Sequence, residues 1–150
     1  MKQPAVPSTH TSAEPSSPAS ADDALMAMLG AAHRIEAQLE SALGVHGLSM
    51  AKFGVLEAMV RASAPLTLTE LASKLSCVRS NITQLIDRLE ADGLVKRVAD
   101  PTDRRSIRAV LTPLGTKRCA QGAVAFAQAR GDLASRLPAV ERAAFLRALS

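Results

Sequence analysis

Arg79, Ser80, Asn81, Thr83, Gln84 and Arg88 fall opposite Ile82, Leu85, Ile86 and Leu89 on one predicted helix, so a single element carries a polar row and an apolar row. The polar row has the chemistry to read base edges. A guanidinium pairs with guanine, a carboxamide with adenine, and a threonine methyl touches a thymine methyl. These side chains concentrate in the first two turns, the end that a recognition helix presents to the bases. Shortly after them, Lys96, Arg97, Arg104, Arg105 and Arg108 sit on a predicted hairpin. Their cations suit phosphate, a contact that fixes position without reading sequence. Taken singly each is as well explained as a solvated surface charge, but five on one hairpin directly after such a helix favour a nucleic acid.

Other chemistries have weaker support. Cys77 and Cys119 show no short metal-ligand spacing and are too few for a disulfide framework, so both are read as reduced thiols. Cys77 is a redox candidate because it stands at the start of the polar helix, where the helix dipole and Arg79 favour a thiolate; a small residue filling a turn is the simpler reading. His33 and His46 are lone candidates for ligand contact. No His/Cys/Asp/Glu cluster has zinc-site spacing, so no metal is expected. Without a nucleophile motif, a phosphate-binding glycine loop or paired carboxylates near a histidine, no catalytic residues and no cofactor are expected.

The charge distribution points the same way. The 150 residues carry a net charge of +4, and Lys74 to Arg118 holds ten Lys/Arg against five Asp/Glu, so the rest sums to −1. A basic segment in a nearly neutral body implies a polyanionic partner at one region. A chain of this length buries roughly 70% of its unfolded surface without disulfide or metal support. No apolar run reaches the roughly 20 residues of a membrane span, and the first twenty residues have no signal-peptide core. The expectation is a cytoplasmic protein with no membrane partner.

The elements that position these residues are mainly helical, as abundant alanine and scarce aromatics imply. Residues 1–21 form a Pro/Ser/Thr-rich leader, expected to be disordered. Residues 22–48 hold a helix with a stripe of Leu25, Met28, Leu29, Ala32, Ile35, Leu39 and Leu43, closed by Gly44. That stripe fits equally a core within one chain or a seam against a second protomer. Residues 49–112 begin with a helix from about Ser49, its inner face Phe53, Leu56, Met59 and Val60, ending near Ala62 to Pro65. Thr67 and Glu70 have capping-box spacing and start a short helix with Leu68, Leu71, Ala72 and Leu75 inward. After a break at Ser76-Cys77 the polar helix follows and stops at Gly93. Strands 94–99 and 106–112 flank a turn at Asp100 to Arg105, with Ile107, Ala109 and Leu111 on one face. Residues 113–150 hold a helix capped by Thr112 with Pro113 at its first position, then a last helix from Pro138 with Val140, Ala144, Phe145 and Leu149. Short helix, turn, second helix and hairpin make a winged helix-turn-helix: mainly α with a small β-hairpin wing.

Leu66-Thr-Leu-Thr-Glu-Leu-Ala-Ser-Lys-Leu75, Ile82-Thr-Gln-Leu-Ile-Asp-Arg-Leu-Glu90, Asp92-Gly-Leu-Val-Lys-Arg97, Asp100-Pro-Thr-Asp-Arg-Arg105 and Val110-Leu-Thr-Pro-Leu-Gly115, in that order, resemble the MarR family of bacterial transcriptional regulators. The resemblance covers about residues 22–150. It implies a homodimer whose N- and C-terminal helices interlock, which assigns both apolar stripes to a dimer surface. It also implies two winged helices on a pseudo-palindromic operator with half-sites about 34 Å apart, often released by a small ligand or an oxidant; the expected regulator is a repressor, with an activator as the alternative. Carried over by position, the recognition-helix contacts fall on Arg79, Ser80, Asn81, Thr83 and Gln84, the wing arginine on Arg105, and the wing aspartate on Asp103, read as a brace because a carboxylate repels phosphate. Many members have a basic residue where Gln84 stands, which favours an adenine-reading contact there. Two alternatives stand beside this reading: a winged helix used to dock a protein, and, within the family, a thiol-based oxidant sensor.

Overall fold

The computed structural model describes residues 20–101, 103, 106–136 and 147. Residues 1–19 of the leader, Arg104, Arg105 and Val140, Ala144, Phe145 and Leu149 of the predicted last helix lie outside the described residues, while Ser20 and Ala21, expected to be disordered, cap and begin the first helix. Two compact units divide the chain, Met1–His33 and Arg34–Ser150.

The boundary falls within α1 (Ala21–Gly44). In the first unit Ser20 caps that helix: its hydroxyl accepts from the Asp23 amide at 3.1 Å, and the Asp23 carboxylate accepts from the Ser20 amide at 3.1 Å. Leu25, Met28 and Leu29 of the predicted stripe are exposed.

In the second unit, α1 ends at Gly44 and the left-handed residue of the following turn is Gly47, with φ of 70°. Ser49 caps α2 (Met50–Ala62) through the Lys52 amide. This helix buries Phe53, Val55, Leu56 and Met59. Val60, expected inside, is exposed, and Val55 takes an interior place on a neighbouring face because α2 is covered on more than one side. The capping box at Thr67 and Glu70 forms as the spacing predicts and opens α3 (Leu68–Lys74). Then follow α4 (Arg79–Ala91), the wing strands β2 (Val95–Ala99) and β3 (Ile107–Leu111), and α5 (Pro113–Ser135).

Leu66–Thr67 is a third strand, β1, absent from the sequence reading. It pairs with β3, giving an antiparallel sheet in the order β1-β3-β2. The register sets Leu66 and Arg97 on either side of Ala109, and Val98 beside Arg108. Leu66, Val95 and Ala109 are buried, so one sheet face closes on the core with Leu56, Leu71, Ile82, Ile86 and Leu89. Ile107 is exposed, since the buried face ends before the tip of the wing.

The junction of wing and α5 is tight. Thr112 accepts from the Gly115 amide at 3.0 Å, and its hydroxyl donates to the Gly93 carbonyl at 2.7 Å. One side chain thus caps α5 and ties it to the end of α4, where Gly93 adopts φ of 72°. A methyl at Gly115 would lie 1.9 Å from the Leu94 carbonyl oxygen. Only glycine admits that approach, which is the physical content of the Leu-Thr-x-x-Gly run. Further along α5, Gly122 lies against Leu43, Leu48 and Phe53, and the Phe126 and Phe53 rings stack tilted at 5.5 Å.

Among the described residues, no helix is long and apolar enough to cross a membrane, and no group of His, Cys, Asp and Glu could hold a metal ion.

Candidate nucleic-acid interface

The α3–α4 corner is built by backbone geometry. Ser76 takes the left-handed conformation, φ 50°, and the Cys77 amide donates to the Ala72 carbonyl at 3.0 Å, folding the chain back on α3. Leu71 and Ala72 on α3 and Ile82, Ile86 and Leu89 on α4 are buried in the resulting seam; Leu85, expected inside, is half-buried. Burial of the α4 residues contributes about 1.5–3 kcal/mol each, enough to hold the helix in one orientation. With that face locked, Arg79, Ser80, Asn81, Gln84 and Arg88 are exposed. Thr83 is half-buried, and its hydroxyl donates to the Arg79 carbonyl at 3.1 Å, which leaves its methyl as the group able to face a partner. The N-cap position of α4 is Val78, exposed and without a side-chain cap, next to the exposed Cys77.

On the wing, Lys96 is exposed as expected. Arg97 and Arg108, expected to face phosphate, have internal partners instead. Arg97 Nη1 donates to Glu90 Oε2 at 2.6 Å and Nη2 to Asp87 Oδ1 at 2.5 Å, while its backbone amide donates to Glu90 Oε1 at 3.0 Å. The Arg97 amide, then its guanidinium, hold the Glu90 carboxyl below its ordinary pKa. Burial of the guanidinium pulls the Arg97 pKa down, but the hydrogen bonds to Asp87 and Glu90 more than reverse this and raise it.

Arg108 lies on the opposite sheet face. Its Nε donates to Asp100 Oδ2 at 2.7 Å and its Nη1 to the Pro65 carbonyl at 2.9 Å. Asp100, read from the sequence only as the start of the turn, is a buried carboxylate at the base of the wing. Its spacing of eight residues from Arg108 across a hairpin was the one signal that could have found it. Asp103 is exposed, and its carbonyl accepts from the Ser106 amide at 2.9 Å, closing the turn of the wing.

His33 is exposed; His46 is half-buried, its carbonyl accepting from Arg118 at 3.2 Å. Cys119 is buried, and that burial pushes its thiol pKa up. A cavity of about 330 Å³ opens between the C-terminal end of α2 and β3, lined mainly by Met59, Val60, Ser63, Pro65, Ala109 and Leu111. Neither histidine lines it.

The described residues thus combine an outward polar row, a basic wing partly neutralised from within, and an apolar cavity behind the sheet. The MarR family model matches residues 48–107. An uncharacterised HTH-type transcriptional regulator of Bacillus subtilis, YkoM, is 39% identical over 72 residues, which are 48% of this chain and 46% of that protein. The chain spans about half the length, or less, of the first curated relatives it matches. The crystal structure of apo MarR from Escherichia coli superposes with a TM-score of 0.66 at 29% identity, covering 84% of this chain and 92% of that one. A mutant of the same protein complexed with operator DNA gives a TM-score of 0.68 at 29% identity, covering 84% and 89%.

Proposed function

The chain belongs to the MarR family of winged-helix transcriptional regulators, and from that premise we propose that it is a sequence-specific DNA-binding repressor acting as a homodimer. One observation carries the reading: Arg79, Ser80, Asn81 and Gln84 are exposed on the first turns of α4 while Ile82, Ile86 and Leu89 hold its other face in the lobe. Arg79 and Asn81 read base edges in the major groove; Lys96 and the wing arginines Arg104 and Arg105 meet phosphate, with Asp103 bracing the turn between them. The exposed Leu25, Met28, Leu29 and Ile35 of α1 support a second copy as the partner of that helix, because apolar side chains at helical spacing gain most from mutual burial. Two-fold symmetry then matches a pseudo-palindromic operator.

Selection of bound duplexes from a random pool tests this. The expected result is a pseudo-palindromic motif bound with a steep salt dependence. Asn81→Ala relaxes preference at particular base pairs, and Arg105→Ala weakens binding across all sequences. Retention of an acidic protein partner with no duplex enrichment favours the protein-docking alternative and overturns the DNA reading.

A small-ligand response is the finer part of the proposal. The cavity lies within the size range of small-molecule sites, and Pro65 both lines it and accepts from Arg108 of the wing. A ligand that displaces Pro65 therefore has a mechanical route to β3. Competition of small aromatic acids against duplex binding, repeated with Met59→Trp to fill the cavity, measures this response.

A further inference from the structure

By sequence α4 is electrically neutral: Arg79 and Arg88 are matched by Asp87 and Glu90. A neutral helix is a poor start for docking on a polyanion. The placement is worse than the sum, because both carboxylates lie in the C-terminal half, where the helix dipole already presents partial negative charge. Among the described residues, neither carboxylate pairs with a cation of α4; the partner comes from the next strand. In the antiparallel register Arg97 stands beside Ala109 on the sheet face that closes on the core, and Lys96 points to the other face beside Val110. From there both terminal nitrogens of the Arg97 guanidinium reach α4, at 2.6 Å to Glu90 and 2.5 Å to Asp87. Its side chain is only 24% exposed, against 57% for Asp87 and 40% for Glu90, so the carboxylates face solvent more than the cation does.

We propose that Arg97 is a positioning residue for DNA docking: it cancels the carboxylate charge on the flank of α4 and orients that helix, and it does not itself grip phosphate. The inference rests on the DNA-binding reading above and specifies how one charge of that interface is used. Both Nη atoms are engaged, so a phosphate contact would require Arg97 to abandon two carboxylates and leave them facing the duplex.

The test is a double-mutant cycle on binding to a mixed-sequence DNA duplex at low salt, with Arg97→Met keeping the apolar stem and removing the charge. It is made in the parent and in an Asp87→Asn/Glu90→Gln background. The expected result is a loss of roughly tenfold in the parent, where two like charges are bared to phosphate, and less than about twofold in the neutral background. An equal loss in both backgrounds identifies a direct phosphate contact and overturns the proposal alone. A lower melting temperature with unchanged affinity identifies a purely structural trio and also overturns it. If the Met variant does not fold, Arg97→Lys serves: affinity within about threefold of the parent supports charge cancellation, and a larger loss opposes it. A parent that binds no duplex at all removes the DNA-binding reading, and this proposal with it.

Discussion

Two glycines of α5 should respond in opposite directions to the same substitution. At Gly115 an added Cβ would meet the Leu94 carbonyl oxygen at 1.9 Å, whereas at Gly131 nothing lies within 4 Å. A comfortable carbon–oxygen contact is about 3.3 Å or longer, so Gly115→Ala must push α5 and the α4–β2 connection apart by more than about 1 Å. The obstacle is backbone, which cannot rotate aside. That displacement strains the bond from the Thr112 amide to the Leu94 carbonyl at 3.1 Å and the hydroxyl bond from Thr112 to Gly93 at 2.7 Å. Overpacking costs about 1–3 kcal/mol and each lost hydrogen bond about 1 kcal/mol, giving about 3–5 kcal/mol in all. For a domain of this size the melting temperature should fall by about 10 °C or more. Gly131→Ala, in open space within the helix, should instead gain up to about 1 kcal/mol from helix propensity. Urea unfolding of both variants beside the parent decides the matter. A Gly115→Ala protein as stable as the parent would mean that α5 is not seated against Leu94, and the account of the Leu-Thr-x-x-Gly run would fail.

Acid should destabilise the lobe in a definable window. The backbone amide and then the hydroxyl of Thr67 hold the Glu70 carboxyl below its ordinary value of 4.5, and Arg97 does the same for Glu90. A carboxyl depressed on folding contributes stability that is present above its unfolded pKa and lost as pH falls through its folded one. The urea midpoint should therefore hold from pH 7 to about 5 and drop below about 4.5, and Glu70→Gln, which keeps the capping geometry without titrating, should flatten part of the drop. A midpoint that rises on acidification would contradict both assignments. The cysteines should separate kinetically under a maleimide reagent in native buffer: exposed Cys77 reacts, while Cys119, buried and with its thiol pKa raised, waits for unfolding. Equal labelling rates would place Cys119 outside the core.

Where the sequence reading succeeded, the physics was local. Thr67 and Glu70 close a capping box three residues apart, Thr112 and Pro113 open α5, and Gly93 turns the chain after α4, because caps and left-handed turns involve groups within a few residues. The periodicity of Ile82, Ile86 and Leu89 located the inward face of α4 and thereby its outward polar row. The readings that changed depended on contacts between distant segments. A two-residue strand such as Leu66–Thr67 has no periodicity to detect and exists only because β3 pairs with it. Val60 lies one position from Met59 on the same helix, and which of them is covered depends on what packs against α2.

The same division holds for charge. Composition and order alone determined that cations cluster from Lys74 to Arg118 and that a polar helix precedes a basic hairpin, since neither property requires a fold. Which cations remain available to a partner was decided by tertiary structure. Arg97 meets Asp87 and Glu90 only because β2 lies alongside α4, and Arg108 meets Asp100 and Pro65 only because the wing closes on the connection after α2. An ion pair forms over a few ångströms whatever the separation in sequence, so the use of each charge is settled by register and packing.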